Sequence, residues 1–561
     1  MKRLFKNGKV LNVFTDTFNI ADVLVENSKI IGVGNYADTD ADEVIDVSGK
    51  YLVPAFIDGH IHIESTMLTP TELAKICIPC GTGTIIADPH EIANVCGLDG
   101  IRYMIEASEG LPLNVYFNLP SCVPATPFDE SGATLDADSL KEFYGNKRVL
   151  GLAEMMNYPG IVYGDPAVTQ KVTDALSAGC IVDGHAPMLS GKELDKYISV
   201  GIQSDHECSN INEALEKLSK GQWIMIRQGT AARNLSALLP LFDEPYNRRC
   251  LLVTDDRHPA DIVKEGHIDN IVRQAIAYGK PAEVAIRMAS FGAAQCFGLR
   301  YVGAIAPAYK ADILVLDDLN TVDICDVYLG GERIVENKIL RSFHEPTVNA
   351  SLSQRVRNSF CLNELTESDF YIEPLSRRCR VIRVLSGELV TENTVFEINW
   401  SVNNGIDLGR DILKLAVIER HKGSGHRGLG FINGIGLKKG AIASSVSHDS
   451  HNIIVVGTNE SDMALAANHI RNFGGSVVAC NGKIIAEMPL SIAGLVTDKP
   501  ANEIAEKNEE VRNAVYRLGV SQDIEPFMNM AFVSLPVIPS LKMTTQGLFD
   551  VDNWQRVPLY L

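Results

Sequence analysis

The sequence predicts an α/β protein built on a (β/α)₈ barrel, with a small β-sandwich domain formed by both flanks of the barrel and a C-terminal α/β or α+β domain. Three observations support this class. Eight short apolar runs alternate with helical or polar segments between residues 53 and 300. Chemically active side chains collect where these runs end. Short alternating strands lie on both sides of the region, and a new pattern begins near residue 350.

Length and composition limit the classes of function. A chain of 561 residues is too long for one core, so two or three domains are expected. The formal charge of −19 repels phosphate backbones, which argues against a nucleic-acid partner. The N-terminus lacks the apolar core of a signal peptide, and no apolar run reaches about 18 residues, which argues against a membrane span. Twelve scattered cysteines are expected to be reduced thiols in the cytoplasm.

The flanks have the composition of short antiparallel strands. Residues 1–52 contain short alternating strand patterns separated by Asn-Gly and Asn-Ser-Lys turn signals. Residues 301–345 return to a similar pattern of short alternating strands. We therefore predict that the two segments pair into one small β-domain.

The central region, residues 53–300, carries the alternation typical of a barrel. Its eight apolar runs are AFIDGHIH, GTIIAD, LNVYFNL, VLGLAEM, GCIVDGHAP, GIQSDHE, WIMIRQG and RCLLVTDD. In such a barrel the carboxyl ends of the strands converge on one face, where active sites form. The polar residues at these ends are His60, His62, Asp88, His90, Glu154, His185, His206, Arg227 and Asp255.

The residues at these ends predict a metal centre. Residues i and i+2 of a strand face the same way, so His60 and His62 can hold one ion together. A single histidine is more often a core or loop residue, but here a carboxylate and further histidines stand at other strand ends. The expected ligands are His60, His62, Glu154, His185, His206 and Asp255. Six ligands suit two ions about 3.5–4 Å apart, of Zn²⁺, Mn²⁺ or Fe²⁺.

Several motifs together are more specific than this pattern. They are VPAFIDGHIHIESTMLTP, ADPHEIANVCG, LPSCVPATPFDESGA, GLAEMMNYPG, RQGTAARNL, TDDRHPADIVKEGHID and GHRGLGFINGIGLKKGAIASSVSHDSHNIIVVGTNESDM. With them the chain resembles the adenine deaminase family of the amidohydrolase superfamily. The resemblance extends over nearly the whole chain, including residues 350–561.

The resemblance implies roles for the predicted ligands. His60, His62, His185 and His206 match ligand positions, and Glu154 matches the bridging carboxylate. Asp255 matches the strand-eight residue that binds metal and carries a proton, with Asp256 as its rival. Two divalent ions per chain are implied, Mn²⁺ or Fe²⁺ before Zn²⁺.

The implied reaction is hydrolytic deamination of adenine to hypoxanthine and ammonia by a hydroxide held at the two ions, in purine salvage or catabolism. A hydrolase of another aminopurine or of a cyclic amide remains the alternative, because the fold does not determine the substrate. A binding or regulatory protein with a degenerate metal site is the third possibility. Many barrels of this kind are dimers or larger, so a homo-oligomer is expected.

Of three further residues of the barrel, Asp88 and Arg227 have two interpretations each. Asp88 either orients the attacking hydroxide and shares its proton, or caps the loop next to Pro89. Arg227 and Gln228 supply donors and an acceptor suited to a purine edge, whereas Arg227 could equally pair with an acidic neighbour. We therefore predict Asp88 as catalytic beside Asp255 and Glu154, and Arg227 and Gln228 as substrate-binding.

The loop SSVSHDSHNIIVVG of the C-terminal domain is rich in polar groups. Its residues His448, Asp449, His451 and Asn452 either form a turn or, with the segment around His426, close over the barrel mouth. We favour closure and predict His451 as substrate-binding. An extra ion held by His448 and His451 is disfavoured, because spacing reveals no further ligand.

Overall fold

The two flanks of the chain pair in one nine-stranded sheet. The computed structural model describes residues 1–36, 38–386 and 388–561. The two flanks meet where Tyr51–Pro54 pairs antiparallel with Ile313–Asp318. From one edge to the other the strands are Ile339–Leu340, Glu332–Glu336, Asp323–Leu329, Ile313–Asp318, Tyr51–Pro54, Lys2–Asn12, Thr17–Glu26 and Lys29–Gly34, with Glu43–Asp46 also on Lys2–Asn12.

Eight parallel strands form the barrel, which confirms the predicted fold class. They are Phe56–Ile61, Thr82–Ala87, Asn114–Leu119, Val149–Met155, Ile181–Gly184, Ser204–Asp205, Trp223–Arg227 and Cys250–Val253. Ladders join the first five and the last three. The amide of Gln203 donates to the carbonyl of Val182 at 3.0 Å, and the amide of Asp255 donates to the carbonyl of His60 at 2.9 Å. These bonds close the ring of strands.

Helices follow the strands and cover the barrel. Some of their N-terminal ends carry side-chain caps, as where Thr69 precedes Pro70 and Asp165 precedes Pro166. The helices are Pro70–Cys77, His90–Cys96, Leu98–Ala107, Ala137–Leu140, Tyr158–Tyr163, Pro166–Ser177, Gly191–Ser199, Ile211–Ser219, Leu235–Leu238, Pro259–Glu265, Ile268–Ala277, Ala282–Arg287 and Ala293–Cys296.

The C-terminal region forms an eight-stranded mixed sheet with helices. In spatial order its strands are Thr391–Glu397, Arg378–Val384, Arg427–Asn433, Leu413–Ile418, Ile453–Gly457, Ala441–Ser444, Ser476–Cys480 and Lys483–Met488. A small sheet follows, made of Leu541–Thr544, Gly547–Asp550 and Gln555–Arg556. The helices are Ala350–Arg357, Glu460–Ile470, Ala501–Arg517 and Pro526–Val533.

The C-terminal region is bonded to the barrel beside the first strand. Thr69 donates its amide to the carbonyl of Thr497 at 3.1 Å, and Thr497 donates to the carbonyl of Met67 at 3.0 Å. The side-chain amide of Asn452 donates to the carbonyl of Glu130 at 2.7 Å. These bonds place the loop around Asn452 at the face where the strands end. Among the described residues, no helix is long and apolar enough to cross a membrane.

Candidate active site

His60 and His62 end the first barrel strand and turn their Nε2 atoms toward each other, 3.2 Å apart. Asp255 approaches from the end of the eighth strand, with Oδ1 3.0 Å from Nε2 of His62 and 3.7 Å from Nε2 of His60. All three side chains are buried. The spacing of two residues thus places both imidazoles on one side of the strand, as the sequence predicts.

Glu154, at the end of the fourth strand, lies between two groups of histidines. Its Oε1 is 3.3 Å from Nε2 of His62. Its Oε2 is 2.6 Å from Nδ1 of His185 and 3.1 Å from Nε2 of His206. Burial alone would raise the pKa of Glu154, but the hydrogen bond from His185 and the nearby histidines hold it well below its ordinary value.

The donor set fits two divalent cations. Neither ring nitrogen of His206 has a well-aligned hydrogen-bond partner among the described residues, although the ring is buried. Unpartnered buried nitrogens are costly, and a cation would satisfy one of them. One ion would be held by His60, His62 and Asp255 and the other by His185 and His206, with Glu154 shared. Imidazole and carboxylate ligands suit Zn²⁺, Mn²⁺ or Fe²⁺.

Asp255, not Asp256, faces the histidines. Asp255 adopts a left-handed backbone conformation with φ of 58°, which turns its carboxylate toward His62. Burial would raise its pKa, but Arg227 and His62 hold it well below the ordinary value. Asp256 instead accepts a hydrogen bond from the hydroxyl of Ser65 at 2.5 Å.

Asp88 contacts its own helix start and also lies near the other ligands, in a group with His62, His90 and Glu154 that could hold a metal ion. Its Oδ1 accepts the amide of His90 at 3.1 Å, and its Oδ2 is 3.1 Å from Nδ1 of His90. Its carbonyl oxygen is 3.1 Å from Nδ1 of His62. These contacts match the capping interpretation and orient both His62 and His90, whose Nδ1 is 3.6 Å from Oε1 of Glu154.

The two predicted substrate-binding residues of the seventh strand differ in position. Arg227 lines the cleft over the strand ends and pairs with Asp255 and with Glu207, 2.5 Å away, as the acidic-neighbour interpretation expects. Gln228 lies outside the cleft lining and donates to Gln274 at 3.1 Å.

Supporting residues come from positions that the sequence pattern did not single out. Asp183 places Oδ2 3.6 Å from Nδ1 of His60, and Glu207 places Oε1 3.4 Å from Nε2 of His206. The hydroxyl of Tyr197 accepts the amide of His185 at 2.9 Å and donates to the carbonyl of Met155 at 2.9 Å. It therefore ties the fourth and fifth strand ends together. The sequence indicates such supporting residues only in the motifs DGH and DHE, where an acidic residue lies close to a predicted histidine ligand.

The cleft has two unlike sides. The barrel side carries the ligands described above. The opposite side, here called the apolar wall, belongs to the C-terminal domain and consists of Leu389, Met528, Phe532, Leu535, Val537 and Ile538. A polar floor facing an apolar wall is the usual form of a small-molecule site.

The C-terminal loop contributes His448 and Asp449 to the cleft, but not His451. His451 lies behind them, with Nε2 3.7 Å from Oε2 of Glu91. His426 is outside the cleft, where Nδ1 is 2.8 Å from Oε1 of Glu130. The loop thus reaches the barrel mouth through a different histidine from the one predicted.

Comparisons with known proteins agree with this arrangement. A model of the amidohydrolase family matches residues 51–351, and one of the adenine deaminase C-terminal domain matches residues 388–555. Over 98% of its length the chain is 46% identical to an adenine deaminase of Clostridium acetobutylicum, covering 96% of that protein. Over its whole length it is 44% identical to adenine deaminase 2 of Carboxydothermus hydrogenoformans, covering 97%. The chain therefore belongs to the adenine deaminase family of amidohydrolases.

Proposed function

We propose that this protein hydrolyses adenine to hypoxanthine and ammonia. The observation that carries the proposal is Glu154, whose two oxygens face separate histidine groups on a chain similar over its full length to proteins named adenine deaminase. A metal-binding or regulatory protein would not need this ligand set to open onto a cleft.

Two divalent ions per chain complete the site, and we propose Mn²⁺ or Fe²⁺ before Zn²⁺. When bound, such ions act as Lewis acids and lower the pKa of water toward about 7. The donor set of His60, His62, Glu154, His185, His206 and Asp255 contains no thiolate and suits all three metals, and the resemblance to the adenine deaminase family favours Mn²⁺ or Fe²⁺.

Asp255 is the proposed proton carrier. Deamination at C6 requires uptake of a proton from the attacking water and protonation of the amine before it leaves. Asp255 lies at the floor of the cleft beside His62, and Arg227 fixes the orientation of its carboxylate. The apolar wall, which includes Phe532, offers a hydrophobic surface to the purine ring.

Incubation of the Mn²⁺-loaded protein with adenine, adenosine and guanine tests this function. We expect ammonia from adenine and little from the other two. Equal or faster release from adenosine would refute adenine as the substrate. Release from guanine or from a cyclic amide alone would favour the alternative hydrolase, and failure to bind two ions per chain would favour a degenerate site.

The cellular setting is part of the same proposal. We place the enzyme in the cytoplasm as a homo-oligomer acting in purine salvage or catabolism. All twelve cysteines are free thiols, which is compatible with a reducing compartment.

A further inference from the structure

His448 is the imidazole that the C-terminal domain adds to the cleft. It follows the strand Ala441–Ser444 and is 4% exposed, yet it lines the same cleft as His62, Glu154 and Asp255. The proposed reaction gives this ring no role so far.

The orientation of the His448 ring is fixed from two directions. Phe532 stacks on it, with ring centroids 4.5 Å apart and planes 21° apart. Its Nδ1 is 3.1 Å from Oε1 of Glu91, a carboxylate of the barrel. Because an ionised carboxylate only accepts hydrogen bonds, Nδ1 carries a proton. Burial lowers the pKa of His448, but the carboxylates of Glu91, Asp256 and Asp449 outweigh it and raise that pKa to about 9. The ring is therefore a cation at neutral pH, and Nε2, on the edge turned away from Glu91, also carries a proton.

Two further polar groups lie near Glu91. The hydroxyl of Ser65 is 3.3 Å from Oε1 of Glu91. Nε2 of His451 is 3.7 Å from the other carboxylate oxygen. Glu91, His448 and His451 lie close enough to bind a metal ion together.

The tautomer of His451 argues against an ion there. The amide of Ser447 donates to Nδ1 of His451 at 3.2 Å, so Nδ1 is an acceptor. The proton of the neutral ring is then on Nε2, the nitrogen that would have to bind the metal. Protonated nitrogens of both histidines thus face Glu91, at 3.1 Å from His448 and at 3.7 Å from His451, and the nearer contact positions His448.

We propose that His448 donates a hydrogen bond from Nε2 to a ring nitrogen of adenine and that Glu91 positions it for this role. The inference rests on the proposed function. Attack at C6 moves electron density onto the ring nitrogens, so a fixed donor at one of them stabilises the transition state. The ring nitrogens of adenine without hydrogen are acceptors, whereas the apolar wall offers them no donor.

The test compares His448→Phe, which keeps stacking on Phe532 but removes both ring nitrogens, with His448→Gln, which retains a donor. We expect His448→Phe to lower kcat/KM for adenine by about 10²–10³, the usual effect of losing such a donor. His448→Gln should recover part of the loss. Both variants should bind as many Mn²⁺ ions as the wild type. His426→Phe, in the same domain but outside the cleft, is the matched control and should leave kcat/KM unchanged.

Binding of 1-deaza-, 3-deaza- and 7-deazaadenine identifies the acceptor. The analogue that lacks the partner nitrogen should bind equally to the wild type and to His448→Phe. The other two analogues should bind more weakly to His448→Phe than to the wild type. Equal losses for all three analogues, or full activity of His448→Phe, would overturn the role of His448. Absence of ammonia release from adenine by the wild type would instead overturn the proposed function, and this role with it.

Discussion

At the scale of single residues, Glu154 decides whether the site holds two ions. Each of its oxygens faces a different group of histidine nitrogens, at 3.3 Å to His62 and 2.6 Å to His185. An amide keeps the shape of this side chain but loses its charge and replaces one acceptor oxygen by a donor. The site therefore depends on a carboxylate at this position.

We expect Glu154→Gln to weaken the affinity for at least one ion by more than about 10²-fold, beyond what loss of an outer hydrogen bond causes. Metal analysis after dialysis, together with ammonia release, measures this. Glu109→Gln, a surface carboxylate paired with Arg148, is the matched control. Two tightly held ions with full activity in Glu154→Gln would rule out the bridging role.

Asp255 and Asp256 are adjacent in sequence and differ in contact. Asp255 faces His62 and Arg227, whereas Asp256 accepts the hydroxyl of Ser65. We expect Asp255→Asn to lower kcat by about 10²–10⁴, the range for loss of a general acid–base group, and Asp256→Asn to lower it less. Full recovery of Asp255→Asn at high Mn²⁺ would reduce its role to that of a ligand. A larger loss in Asp256→Asn would transfer the proton role to Asp256.

At the scale of elements, the strand ends of the barrel were accessible from sequence. Parallel strands that alternate with helices must present their carboxyl ends on one face, so His60, Glu154 and His206 could be placed together without knowing their contacts. The apolar run of each strand is visible in the chain, although each strand pairs with a neighbour that is distant in sequence. This is why the ligand groups follow from the pattern.

Residues that act across elements were not accessible in this way. Tyr197 lies in the helix Gly191–Ser199, and its role depends on how that helix packs on two strands. That His448 lines the cleft and His451 does not likewise depends on how their loop packs against the helix that carries Phe532. Helical spacing predicts a buried tyrosine, but not the two backbone atoms that its hydroxyl joins.

Tyr197→Phe tests the tie between the fourth and fifth strand ends. Loss of the hydroxyl leaves the amide of His185 and the carbonyl of Met155 unpaired, which should loosen His185 relative to Glu154. We expect the affinity for one ion to fall about 10–100-fold, the range for removing an outer partner of a metal ligand. Tyr163→Phe, whose hydroxyl is at the surface, is the control. A lower Tm with unchanged metal affinity would show a purely structural role.

At the scale of the whole molecule, the active site requires both the barrel and the C-terminal domain. The barrel supplies the ligands, and the C-terminal domain supplies the apolar wall and His448. The helix Ala501–Arg517 packs against the barrel helices Pro259–Glu265 and Pro70–Cys77. Since this packing buries apolar surface on both sides, the wall is fixed relative to the ligands, and substrate recognition depends on the stability of the domain that carries it.

Lys542 connects that stability to pH. It lies fully buried on the strand Leu541–Thr544, and its Nζ donates to the carbonyls of Phe532 at 2.9 Å and Leu389 at 3.2 Å, both residues of the apolar wall. Burial lowers the pKa of Lys542 to about 7, whereas a lysine in an unfolded chain has a pKa of about 10.4. Between these values the unfolded chain binds one more proton than the folded one. The free energy of unfolding therefore rises with pH across this window.

Lys542→Met removes the titrating group and should remove this contribution. The contributions of other ionisable groups cancel in the difference between wild type and variant. We therefore expect the Tm of the wild type minus that of the variant to increase as the pH rises from 7 to about 10. Scanning calorimetry at several pH values measures the difference. Lys507→Met, at the surface beside Glu510, is the matched control and should show no such trend. Parallel Tm curves for wild type and Lys542→Met would mean that Lys542 stays protonated beneath the apolar wall, and the carbonyls of Phe532 and Leu389 would then be holding a buried ammonium group.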